Sequence, residues 1–345
     1  MANEYFKNPH SATNNPRTSY TEYDLVVVGE LNMDLILDHV NSLPGLEKEV
    51  ICKSMNLTIG SSSAIMALNA AALGLKVNFV GKIGNDDFGK TCLNALNSRS
   101  IDTTNVLISE LENTGLTCIY TQERKRGMIT YPGSMESFTL DEIPDQVFKS
   151  AKHLHLSSYY LQKGLKPDVP NLFKIARENG MTTSFDTNFD PDEKWGNEVL
   201  DVLDYVDIFF PNDQEAMKIA GTNTIEDAMA ILTKHCKIVI VTCGSKGVMG
   251  QYGDVVFHAK GLRIDIKDAV GAGDTFNSGF LLEYLKGAEL ESCVISGIHS
   301  SAFSTTFTGG IEAFNHIDQY SEFCENHPVK FALEVLDNTS DHNTI

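Results

Sequence analysis

The residues with the clearest chemistry are Asp268-Ala269-Val270-Gly271-Ala272-Gly273-Asp274-Thr275-Phe276, which lead into a helical pattern over 275–286. Glycines ahead of a helix let backbone N–H groups converge on an anion, and the helix dipole adds a favourable field. Gly271, Ala272 and Gly273 supply those amides. Asp274 falls in the first turn, close to the anion but unable to bind it by charge. A carboxylate there suits removal of a proton from a hydroxyl that attacks a phosphoryl group. The same residues also suit a plainer reading, in which Asp274 caps the helix and the glycines make a tight turn. A Walker loop is not involved, because G-x-x-x-x-G-K-[ST] occurs nowhere in the chain.

Holding such a turn in place requires a framework, and the hydrophobic pattern predicts one. Apolar, β-branched runs at 24–29, 77–81, 153–157, 182–186, 208–211 and 238–242 are expected of strands covered on both faces. Helical patterns at 64–73, 89–98, 169–179, 213–220, 225–234 and 275–286 alternate with them, which predicts a mostly parallel α/β sheet flanked by helices. One region departs from this rhythm. The runs 116–121 and 127–131, joined by the charged turn 122–126, read as an antiparallel hairpin. Segments 34–40 and 50–57 have the same character, so the four predict a small β-sheet lid beside the main sheet. The expected organisation is one domain over 23–332 with lid segments near 34–57 and 114–132, a flexible N-terminal segment at 1–22 and a C-terminal tail at 333–345.

Composition narrows the partners. The 345 residues carry 46 acidic against 27 basic side chains, a formal charge of −19, which argues against nucleic acid. Seven scattered cysteines without a Cys-x-x-Cys speak against a disulfide framework or zinc site and for reduced thiols in a cytoplasmic chain. No apolar export segment opens the sequence, and no run approaches the roughly 18 apolar residues of a membrane span. His153 and His155 alternate along an apolar strand and read as core. Arg124-Lys125-Arg126 reads as solvated turn charge. Phe303, Phe307 and Phe314 read as core, with the border of an adenine pocket near Gly309-Gly310 as the alternative.

The stretch DAVGAGDTFNSGF resembles the C-terminal signature of the ribokinase, or PfkB, family of carbohydrate and nucleoside kinases. A counterpart of its N-terminal signature runs from Ile59-Gly60-Ser61-Ser62-Ser63-Ala64 through Ala72-Leu73-Gly74 and then Val80 to Gly89. The resemblance extends from Asp24 to Phe331. It implies a ribokinase-like fold and an ATP- and Mg²⁺-dependent kinase acting on a hydroxyl of a small sugar or sugar derivative. Two alternatives stand beside that reading: a nucleoside kinase of the same fold, and a sugar-binding regulatory protein without catalysis.

The resemblance also implies roles for individual residues. Asp274 corresponds to the family's base, with Gly271, Ala272 and Gly273 as the anion hole. Asn212 and Glu215, in Pro211-Asn-Asp-Gln-Glu215, match an N-x-x-E motif that organises Mg²⁺ and phosphate, often through water; the same spacing is that of a capping box. Thr242, Gly244, Lys246 and Gly247 match a strand end that contacts the nucleotide. Asp268 matches a position where some members bind a monovalent cation such as K⁺, and is otherwise a turn aspartate. Asn32 and Asp34 match the strand end that grips sugar hydroxyls. Gly60, Ser61, Ser62 and Ile65 match a Gly-Gly segment followed by an acceptor-binding Asn, here replaced by Ile65. In Asp186-Thr-Asn188-Phe-Asp190, Asp190 replaces the Arg of a D-x-N-x-R segment. Lid strands in the family often pair across a homodimer.

Overall fold

Leu25, Val26, Val27 and Val28 are all fully buried, and they divide by alternation. Leu25 and Val27 join one core with Phe210 and Ile240. Val26 and Val28 join a second with Leu156, Phe209 and Val241. A strand with a core on each face has no polar side, which is why the sequence shows an unbroken apolar run there.

The computed structural model describes residues 21–40, 46–122 and 125–336. Along the chain, β1 (Tyr23–Val28), β2 (Asn32–Asp38) and β3 (Ser54–Ile59) lead into α1 (Ser62–Ala72). Next come β4 (Val77–Gly84), α2 (Asp87–Ser98), β5 (Asp102–Ser109), β6 (Gly115–Gln122) and β7 (Lys125–Tyr131). The middle of the chain forms α3 (Val147–Ser150), β8 (Ala151–Ser157), α4 (Val169–Glu178), β9 (Thr182–Asp186), α5 (Glu198–Leu203), β10 (Ile208–Phe209), α6 (Asp213–Ala220) and α7 (Ile225–Leu232). The last part holds β11 (Ile238–Thr242), β12 (Val248–Tyr252), β13 (Val255–Ala259), α8 (Ala272–Leu285), α9 (Leu290–Thr305), α10 (Tyr320–Asn326) and β14 (Phe331–Val335).

The large sheet has the order β14-β13-β12-β11-β10-β9-β8-β1-β4-β5. It is parallel from β11 to β5 and antiparallel from β11 to β14. Helices α1, α2, α8 and α9 cover one face, and α4 to α7 the other. Because β4 and β8 flank β1 on opposite sides, the chain reverses direction across the sheet there, and the crevice at the carboxyl ends of those strands is the expected ligand position. The predicted lid is present as a four-stranded sheet, β3-β2-β6-β7, with β2 parallel to β6 and antiparallel pairs at both edges.

Several elements differ from the sequence reading. β10 stops at Phe209, because the next residues turn to form the cap of α6. The sequence pattern marks none of β5, β12, β13, α3, α5, α9 and α10. Helix α9 shows only a weak apolar stripe because small residues make its close contact with α8: a Cβ on Gly279 would collide with Ser300, and one on Gly297 would come within 2.7 Å of the Phe276 ring. β14 extends the sheet to Val335 by pairing with β13, so 333–335 are strand where a tail was expected. Residues 337–345 lie outside the described residues, as does the expected N-terminal segment up to residue 20. No helix among the described residues is long and apolar enough to cross a membrane.

Candidate active site

The site assembles where the apolar strands run out and polar residues take over. β1 gives way to Glu30, Asn32 and Asp34, β8 to Ser157 and Ser158, and β9 to Asp186 and Asn188. β10 gives way to Asn212, and α8 faces them with Asp274 and Asn277. Glu30, Asn32, Asp34, Ser157, Ser158, Asp186, Glu215, Asp274 and Asn277 are all buried, although no apolar pattern marks them.

Gly271 caps the start of α8 with φ 71°, and a Cβ on it would lie 2.9 Å from Ile65 Cγ2 and 3.0 Å from the Gly310 Cα. Both the left-handed backbone and the packing therefore require glycine. A Cβ on Gly273 would meet nothing within 4 Å, so the turn is open on that side. The Ala272 amide makes a long bond to the Ala269 carbonyl, 3.3 Å. Ile65 is buried against Gly271 and Gly310. It thus supports the glycine turn.

Burial, with Asp186 and Glu30 as negative neighbours, pushes the Asp274 carboxyl up to about 8; the side chains of Ser62 and Asn188 oppose the shift by hydrogen bonding. Burial also raises Asp34 to about 7, with Glu30 adding to the effect and Arg126 opposing it. Asp186 and Glu215 are raised by burial as well; Asp186 is repelled by Glu30, and Glu215 by Asp186 and Asp274. Asp186 accepts from Asn277 Nδ2 (2.8 Å) and the Asn188 amide (3.0 Å). A group of acids that favours protonation when bare is suited to a cationic or proton-donating ligand.

The residues matched to the acceptor segments lie beside one another, and the Gly60 amide donates to the Asn32 carbonyl (3.0 Å). A Cβ on Gly60 would collide with the Asp34 carboxylate, so glycine there lets the carboxylate lie against the backbone. Asn32 Nδ2 donates to Thr117 Oγ1 (3.3 Å) across β2 and β6. Ser61 has φ 72° where the family's second glycine would stand. It is held by its hydroxyl bond to the Glu30 carbonyl and by capping α1 through the Ala64 amide (3.1 Å).

At Asn212 and Glu215 the capping box is complete. Asn212 Oδ1 accepts from the Glu215 amide and Glu215 Oε2 accepts from the Asn212 amide, both 2.9 Å. The Thr242 amide donates to the Pro211 carbonyl (3.0 Å), which joins the end of β11 to the cap of α6. Gly244 and Gly247 have φ 55° and 104°, and a Cβ on Gly247 would collide with the Ala259 carbonyl. Lys246 is exposed. Asp268 accepts from the amides of Val270 (3.0 Å) and Gly309 (2.9 Å), so it ties the glycine turn to the chain that follows α9. Among the described residues no group of three or more His, Cys, Asp or Glu is arranged around one metal. An Asn and a Glu nonetheless fit Mg²⁺, which keeps several waters and takes remaining ligands from phosphate.

Other candidates resolve into structure. Asp190 accepts three amides, from Asp192 (3.0 Å), Lys194 (2.8 Å) and Trp195 (2.9 Å), so the residue that replaces the family's Arg organises its own loop. His153 and His155 share the Ser184 hydroxyl at 2.7 Å each, inside the sheet. Phe303 and Phe314 belong to a small core with Ala313, while Phe307 stacks on His316 at 4.9 Å. Arg126 is exposed; Arg124 lies outside the described residues. Glu30 is the buried acid that the motif reading passed over. Its signal was its place: an acid directly after an apolar strand, at the carboxyl end of the sheet.

The profile described as pfkB family carbohydrate kinase matches residues 23–317. The chain belongs to this family. Among its relatives, a ribokinase from Haemophilus influenzae is 28% identical over 313 residues, covering 88% of this chain and 98% of the relative. A cytidine kinase from Thermococcus kodakarensis is 30% identical over 282 residues, covering 80% of this chain and 93% of the relative. In structure, the pfkB chain matches Arabidopsis thaliana ribokinase, solved with ribose and ATP, with a TM-score of 0.77 at 22% identity, covering 88% of this chain and 99% of that one. The fold is ribokinase-like.

Proposed function

We propose that this chain is a cytoplasmic kinase that moves the γ-phosphoryl group of ATP to a hydroxyl of a small sugar or sugar derivative. The observation that carries the reading is Asp274, buried in the first turn of α8 behind Gly271–Gly273, with its proton affinity raised to about 8. A base whose pKa lies near the working pH takes a hydroxyl proton effectively. The amides of Gly271, Ala272 and Gly273, at the start of a 14-residue helix, would stabilise charge on the phosphoryl oxygens. Thr242, Gly244, Lys246 and Gly247 would line the nucleotide. Mg²⁺, held near Asn212 and Glu215 through water, would neutralise phosphate charge when bound. Asp268 still has lone pairs for a monovalent cation such as K⁺ beyond its two amide bonds.

Asn32, Asp34, Gly60, Ser61 and Ser62 would hold the acceptor, and the lid would exclude water from it. A nucleoside acceptor has a specific observation in its favour. On the face of the lid that carries Asp34 and Thr117, the next cross-strand row is Ile36, Ile119 and Met128, an apolar platform suited to a base. The opposite face exposes Met55, Leu57, Ile129 and Tyr131, which favours pairing of two lids in a homodimer. ADP release measured with Mg²⁺ over ribose, fructose, 2-dehydro-3-deoxygluconate, cytidine and adenosine, with and without K⁺, tests the reading. Turnover of a sugar supports it, turnover of cytidine or adenosine supports the nucleoside alternative, and acceptor binding without ADP release supports a regulatory protein.

A further inference from the structure

Glu30 follows β1, is only 2% exposed and enters the reading above only through its charge on Asp274 and Asp34. Its carboxylate is filled from separate segments. Oε1 accepts from the Ser62 amide (2.8 Å) and the Ser158 hydroxyl (2.5 Å). Oε2 accepts from the Ser63 hydroxyl (2.7 Å), which also meets Ser157 Oγ at 2.8 Å. The Ser158 amide in turn donates to Asn188 Oδ1 (2.8 Å). The side chains of Ser62 and Asn188 both hydrogen-bond the Asp274 carboxyl, so Glu30 is linked to it through each of them.

Two further facts bear on its purpose. Ser61, Ser158 and Asn188 all hold left-handed backbone, with φ of 72°, 56° and 53°. Such conformations persist where the surroundings over-determine them, typically beside reacting groups. In addition, Glu30 is bound by neutral donors while its charge bears on Asp34, Asp186 and Asp274. A buried carboxylate among other acids is a poor device for stability alone.

We infer that Glu30 is a positioning residue for phosphoryl transfer: through Ser62 on one side and Ser158–Asn188 on the other, it sets the direction of the Asp274 carboxylate. The inference rests on Asp274 being the base. It is tested by ADP release with whichever of ribose, fructose, 2-dehydro-3-deoxygluconate, cytidine and adenosine the wild type turns over fastest. Glu30→Ala loses about 100-fold in kcat, the cost of a base displaced by about an ångström, while the KM for ATP stays within about twofold. Glu30→Gln regains most of the loss, because its amide oxygen still accepts from Ser62 and Ser158. An unchanged kcat in Glu30→Ala, or equal losses in kcat, ATP affinity and urea midpoint without rescue by Gln, overturns the inference. Ser158→Ala supplies a second measurement by urea unfolding: its effect shrinks in the Glu30→Ala background, and strict additivity overturns the link. Asp274→Asn is assayed in parallel. If it stays active the base reading falls; if it alone is impaired, only the role of Glu30 falls.

Discussion

Asp274→Asn should make the protein more stable at alkaline pH while removing most of its activity. The folded carboxyl has a pKa of about 8, against about 3.9 for a free aspartate. Between those values the folded chain holds a proton that the unfolded chain has lost. Stability from this group is therefore complete in acid and is lost as pH rises through about 8. At about 1.4 kcal/mol for each tenfold change in proton affinity, the whole effect is bounded by roughly 6 kcal/mol. The share falling between pH 6 and pH 9 is roughly 2–3 kcal/mol. An amide does not titrate, so the stability difference between variant and wild type should move by that amount in the variant's favour over this range. Comparing the two proteins cancels the contribution of Asp34, whereas Asp186 and Glu215, which interact with Asp274, relax when its charge is removed and so belong to the measured difference. Urea unfolding at half-unit pH steps measures the difference, and ADP release measures the accompanying loss, expected to be about 10²–10⁴-fold. A stability difference independent of pH would refute the raised proton affinity, and full turnover would refute the base.

Gly60→Ala pushes the Asp34 carboxylate away from the backbone, so the acceptor KM should rise more than tenfold while the ATP KM is unchanged; steady-state kinetics in both substrates reads this. Gly271→Ala combines an unfavourable φ of 71° with contact against Ile65 and Gly310, and urea unfolding should show a loss of about 1–3 kcal/mol. Ile129→Asp puts a charge on the exposed apolar face of the lid. If two lids pair there, light scattering should show the dimer shifting to monomer.

Much of this molecule is written locally. The apolar runs announced the buried strands because two cores leave a strand no polar face, and β9, β11 and α6 appear at the residues the pattern marked. The elements that were missed owe their form to distant partners. β14 is a strand because β13 offers it an unpaired edge, and α9 shows only a weak apolar stripe because Gly297 and Ser300, not large apolar side chains, meet α8. Residue types and spacing determined that a glycine turn precedes an aspartate at a helix start, and that Asn212 and Glu215 are one turn apart. Tertiary structure alone decided what those groups are worth. It buried Asp274 beside Asp186 and Glu30, residues far away in sequence, and so raised its proton affinity. It turned Asp190 into a loop staple, and it joined Glu30 to Ser62, Ser63 and Ser158. Proton affinity and orientation depend on neighbours and on exclusion of water, and both come from segments that meet only in the folded chain.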